Sequence, residues 1–95
     1  MSAYVYILAS GRNGTLYIGV TTSLPQRIHQ HRQGYTPGFA SRYRIYLLVY
    51  AETHARIDEA IAREKQLKTW KRAWKIELIE ASNPEWQDLS AAMLL

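Results

Sequence analysis

Asn13-Gly14, set between two short apolar runs, dictates how this chain begins. Both residues tolerate positive φ, and such a pair between strand-like segments is a strong hairpin signal. Tyr4-Val5-Tyr6-Ile7-Leu8 and the run through Tyr17-Ile18-Gly19 therefore read as antiparallel partners. A register whose paired residue numbers sum to an odd value, such as 25, places Tyr6 and Tyr17 on one sheet face as diagonal neighbours. An even sum separates them. Gly19 shares that face, and a strand glycine often marks a place where another group approaches the backbone closely. The same tyrosines suit plain strand packing, with their hydroxyls satisfied at the sheet edge.

The remaining pattern alternates helix and strand. After a second strand over roughly 15–20, Thr21-Thr22-Ser23 offers N-cap candidates and Pro25 fits a first helical turn, so a helix runs to about Gly34. Leu24, Arg27, Ile28 and His31 share one arc of it, which sets a cation and an imidazole at the rim of the core or on a solvated surface. A loop-like stretch from Gly34 to Arg44 leads into Ile45–Tyr50, an apolar third strand expected to join the hairpin. Helical periodicity then resumes from about Ala55, breaks near Thr69, and continues through Trp70, Trp74 and Leu78, read as core, until Asn83-Pro84 stops it. Glu85–Leu89 reads as a final turn or short helix, and Ala91–Leu95 as a frayed end. The expected fold is α+β: a small three-stranded antiparallel sheet packed with helices in the order β-β-α-β-α-α, in one domain over residues 1–95.

One acidic residue stands out. With Ile57, Ala60, Ile61 and Leu67 marking the buried stripe of the second helix, Glu64 falls along its middle. A buried anion needs a cation, a hydrogen-bond network or a cleft. A metal ion meets that need, and so does an internal ion pair with Lys68, one turn on, or with Arg27. Downstream, Arg63, Lys65, Lys68, Lys71, Arg72 and Lys75 surround that single acid, forming either a phosphate-binding face or a solvated one. The net charge of +4 favours a polyanionic partner. The absence of cysteine excludes disulfides and thiolate metal sites, and without a signal peptide or long apolar span the expected location is the cytoplasm, with no membrane role.

Taken together, these residues resemble the GIY-YIG nuclease domain, most closely its small single-domain bacterial members. Tyr4-Val5-Tyr6 occupies the place of the first family tripeptide and Tyr17-Ile18-Gly19 matches the second. Arg27 and His31 follow Tyr17 by ten and fourteen residues, as do the family's helix arginine and the histidine or tyrosine one turn later. Glu64 falls on the metal-binding glutamate and Asn83 on the late asparagine. Tyr4 departs from the family's first glycine, and Val20 stands where some members, such as the excision-repair nucleases, carry lysine.

The resemblance implies a metal-dependent endonuclease acting on DNA or RNA without an obligate protein partner. In that reading Glu64 holds Mg²⁺ or another divalent cation such as Mn²⁺, and Arg27 stabilises phosphoryl charge. Tyr17 takes the proton from water, helped by His31 or by nearby positive charge, while Tyr6 orients water or phosphate. Gly19 and Asn83 support the site, and Lys68, Lys71, Arg72 and Lys75 grip the nucleic acid. The alternative is a binding module on the same scaffold that no longer cuts, and a third reading is a structural protein whose aromatics fill a small core.

Overall fold

The structure is a computed structural model describing residues 2–33 and 45–90, so the loop expected between the first helix and third strand, and the expected frayed end, lie outside the described residues. Three strands, β1 (Ala3–Ala9), β2 (Leu16–Thr21) and β3 (Leu47–His54), and three helices, α1 (Leu24–Gln33), α2 (Ile57–Thr69) and α3 (Arg72–Ser82), follow the β-β-α-β-α-α order. The sheet is antiparallel throughout, with β1 between β2 and β3.

The hairpin takes the odd register: Tyr6 faces Gly19 and Leu8 faces Tyr17. Its turn is closed by the Gly14 amide donating to the Gly11 carbonyl at 2.9 Å, and Asn13 supplies the positive φ of 57°. A side chain at Gly14 would run into Ser10 Oγ, whose hydroxyl oxygen accepts the Thr15 amide at 2.9 Å. Glycine and asparagine thus do separate jobs in this turn.

Strand alternation divides the core into two layers. On one face, Ala3, Val5, Ile7, Ala9, Ile18 and Val49 pack under α2 and α3, through Ala60, Leu67 and Ile79. On the other, Tyr6, Leu8 and Leu48 pack under α1, through Leu24 and Ile28, with Ile45 beside them. Each fully buried aliphatic side chain contributes about 1.5–3 kcal/mol.

The third strand starts at Leu47, two residues later than its apolar run predicts, and continues through the more polar Glu52-Thr53-His54. Alternation along it is broken by a register shift: Ile7 pairs with Tyr50 and Leu8 with Leu48, leaving Val49 without a cross-strand partner on β1. The Asn83 side-chain amide donates to the Val49 carbonyl at 3.1 Å and to the Gln87 carbonyl at 2.9 Å, while its own carbonyl accepts the Gln87 amide at 3.0 Å. One buried asparagine so satisfies the bulge and fixes the turn after α3.

Two core expectations are corrected. Ile57 and Ile61 are exposed, because α2 turns Ala60 and Leu67 to the sheet, and the small Ala60 lets the helix sit close. Trp74 is 50% exposed and Trp70 and Leu78 are only partly buried, since Ile79 fills the central position under α3 instead. The break between these helices is made by two extended residues, Trp70 and Lys71, with ψ of 149° and 150°.

Candidate active site

Gly19 is the floor of the site. A Cβ there would collide with the ring and hydroxyl of Tyr6, so the missing side chain is what allows the phenol to lie across β2. Tyr17 sits diagonally beside it on the same face, with ring centroids 6.4 Å apart. From α1, His31 closes the third side, its ring edge-on to Tyr17 at 5.2 Å and to Tyr6 at 6.0 Å. Leu24 and Ile28 hold that helix to the sheet, and the 3.6-residue period then delivers His31 to the phenols, with Arg27 one turn before it.

The buried Tyr6 hydroxyl and His31 Nε2 are 3.0 Å apart. Burial first, then the Tyr17 phenol, pushes the Tyr6 hydroxyl well above the ordinary phenol range; Arg27 opposes the shift and Glu64 adds to it. Burial and the Arg27 charge move His31 the other way, keeping its imidazole neutral. A protonated Tyr6 therefore donates to Nε2, and the imidazole carries its hydrogen on Nδ1, which is buried and has no partner among the described residues. The imidazole expected to serve Tyr17 is engaged by Tyr6, and the Tyr17 hydroxyl has no hydrogen bond among the described residues.

Arg27 is half-buried and forms no ion pair among the described residues. It lines a polar groove of about 170 Å³ with Thr21, Thr22, Ser23, Gln26 and Gln30, a setting in which its guanidinium can meet an anion. Glu64 reaches the same electrostatic neighbourhood from α2, because its charge is felt at the Tyr6 hydroxyl. Its side chain is 16% exposed and its carboxylate lies 3.5 Å from the ammonium of Lys68, whose side chain is 54% exposed. This is a pair at the rim, one that water screens and an incoming cation can replace. No three His, Asp or Glu side chains gather as a metal cage among the described residues. A divalent ion here would have Glu64 as its protein ligand, with water and substrate oxygens completing the shell, a donor set that suits Mg²⁺.

The other expected residues lie elsewhere. Asn83 meets none of these groups and acts on the bulge and turn. Arg72 donates to the Asn13 and Gly14 carbonyls at 2.7 and 2.6 Å, tying α3 to the hairpin turn. Lys71 lies over the Trp74 ring at 5.6 Å. Unanticipated was a carboxylate clasp: Glu52 accepts hydrogen bonds from Tyr50 at 2.6 Å and from Arg63 at 3.1 Å, and lies 2.6 Å from His54 Nε2. Burial raises the Glu52 pKa, but these bonds more than offset it, while burial and Glu52 push Tyr50 up to about 12. Period-two spacing of Tyr50, Glu52 and His54 was the signal available for it.

The GIY-YIG catalytic domain family matches residues 2–77. A UPF0213 protein of Staphylococcus haemolyticus is 36% identical over 77 residues, covering 81% of this chain and 93% of the relative. Another from Staphylococcus saprophyticus is 34% identical over 76 residues, covering 80% and 92%. The solution NMR structure of a UPF0213 protein from Bacillus halodurans superposes with a TM-score of 0.57 at 29% identity, covering 93% of both chains. A tyrosine pair over a strand glycine, an arginine and an imidazole one helical turn apart, and a family match across most of the sequence make this chain a member of the GIY-YIG catalytic domain family, a family of nucleases.

Proposed function

We propose that this protein is a divalent-metal-dependent endonuclease that hydrolyses phosphodiester bonds of DNA. The observation that supports this most strongly is the meeting of two phenols and an imidazole, with Tyr6 lying across Gly19, within the electrostatic reach of Arg27 and Glu64. Tyr17, whose hydroxyl has no partner among the described residues, takes the proton of the attacking water. Arg27, whose charge is felt at Tyr6 and His31, would hold the phosphoryl oxygens with its planar fork as charge builds on them.

Tyr6 stays protonated and hydrogen-bonded to His31, a fixed polar wall that orients water or phosphate rather than a second base. Glu64 would hold Mg²⁺ or Mn²⁺, which when bound neutralises charge on the scissile phosphate and the leaving oxygen. Lys68 is then released to the solvent or to the backbone of the substrate.

Nicking of supercoiled plasmid, with and without Mg²⁺, tests the proposal. Wild-type protein should nick only with the cation. Glu64→Ala should lose cleavage at least a hundredfold while keeping its affinity for DNA. Cleavage by Glu64→Ala at the wild-type rate would refute the assignment, and wild-type protein that binds without cutting would leave the non-catalytic binding module as the answer.

A further inference from the structure

Trp74 is the most exposed large apolar side chain among the described residues, and the mechanism above does not use it. It forms one wall of a groove of about 420 Å³ along α3, lined also by Trp70, Glu77, Leu78 and Ala81. That volume is within the range of small-molecule sites, about 300–1,000 Å³. The two indoles meet edge to face at 6.1 Å and 85°, which fixes Trp74 while leaving half its surface in water. Lys71 stands over that ring, and Lys75 follows Trp74 directly on the same helix.

The fold does not need these charges. Lys71 caps α3 and Lys75 stands in its first turn, where the helix dipole is already positive and no acidic residue offsets them, while Glu77 farther along is the one charged residue lining the groove. Arg63, stacked on Trp70, differs because Glu52 neutralises it. A fixed, half-exposed indole with the Lys71 ammonium beside it at the N-terminal end of the groove, and Glu77 in the lining beyond, is complementary to a flat aromatic ring whose phosphate lies at the lysine end.

We infer that the α3 groove is a stacking site for an unpaired nucleobase, with Lys71 and Lys75 on the flanking phosphates. This rests on the nucleic-acid reading of the active site and extends it to a substrate class, strands with single-stranded character. In a duplex both faces of each base are covered by neighbours, so Trp74 has nothing to stack on. The groove is on the sheet face opposite Tyr6 and Tyr17, so it anchors a strand away from the cut.

Intrinsic fluorescence reads the site directly, because Trp86 is buried and Trp70 is partly so. The full chain is titrated in EDTA, where nothing is cut, with oligo-dT and with a blunt hairpin duplex; sedimentation is run in parallel. Oligo-dT should quench the emission. Trp74→Ala should weaken oligo-dT binding by roughly five- to 150-fold, the loss of one stacked base, with duplex affinity held within about twofold and Trp74→Phe recovering most of the loss. Equal weakening for both ligands, or none, overturns the stacking site. So does a concentration-dependent dimer that Trp74→Ala dissolves, which gives the groove to a second copy of the chain. A wild-type chain with no affinity for either ligand defeats the nucleic-acid reading itself, a result distinct from loss of strand preference alone.

Discussion

At Gly19 a single hydrogen atom decides whether the phenols can meet. Tyr6 lies where any larger side chain on β2 would have to go, so Gly19→Ala overpacks the site and drives the ring off His31. The expected penalty is about 1–3 kcal/mol in urea unfolding, with cleavage lost alongside it. A variant as stable as wild type would mean that the ring moves freely. His31 gives the second prediction. Its pKa is held below the ordinary 6.5 by burial and by Arg27, so the unfolded chain takes up that proton first. The stability it contributes is complete above about pH 6.5, declines as pH falls below that value, and levels off only beneath the depressed native pKa. Urea midpoints measured from about pH 7.5 to 5 should show this slope, and His31→Gln should flatten it. An unchanged slope would assign the titration to another group. The tyrosine spacing and the glycine were legible in the sequence because register follows from turn chemistry and alternation. Which phenol holds the imidazole was not, since that depends on how far α1 slides along the sheet.

Elements were legible where their signals were local. The Asn13-Gly14 turn, the Pro25 helix start and the stop at Asn83-Pro84 all appear in place. Burial was harder to read, because helical periodicity finds an apolar arc without saying which part of it faces the sheet. Ala60 and Leu67 centre the buried arc of α2 at about 290° on a wheel with Ile57 at zero. Glu64 therefore sits on its shoulder, partly buried and reachable, rather than at the centre of the stripe. That displacement is what allows a carboxylate near the sheet without a fully buried partner. At its N-terminus α2 is incompletely capped: Arg56 occupies the cap position without a side-chain hydrogen bond to the helix. Arg56→Ser should add about 1 kcal/mol of stability and raise Tm by about 4–8 °C, and the exposed Arg56–Asp58 pair subtracts little from this. A fall in Tm would show that the arginine contributes more than its exposure indicates.

The molecule as a whole places α1 on one sheet face and α2 with α3 on the other, and the proposed chemistry draws on both. Tyr6 and Tyr17 come from the hairpin, Arg27 and His31 from α1, and Glu64 from α2. No stretch shorter than about 60 residues contains the full set, so the site exists only in the folded chain. No helix among the described residues is long and apolar enough to cross a membrane. The overall positive charge supports attraction of a polyanion, and the proposed stacking site would place it beside Lys71 and Lys75. The Trp70 and Trp74 groove was hidden in the sequence for a general reason: aromatic residues at four-residue spacing look the same whether they fill a core or face water.

The account depends above all on Tyr17 as the group that accepts the proton. Single-turnover cleavage of a saturating DNA substrate in Mg²⁺, compared between wild type and Tyr17→Phe, isolates that step, since phenylalanine keeps the ring against His31 and removes only the hydroxyl. A fall in rate of about 10²–10⁴-fold with unchanged DNA affinity is the predicted result. A Tyr17→Phe rate equal to wild type would contradict it and remove the phenol from the chemistry.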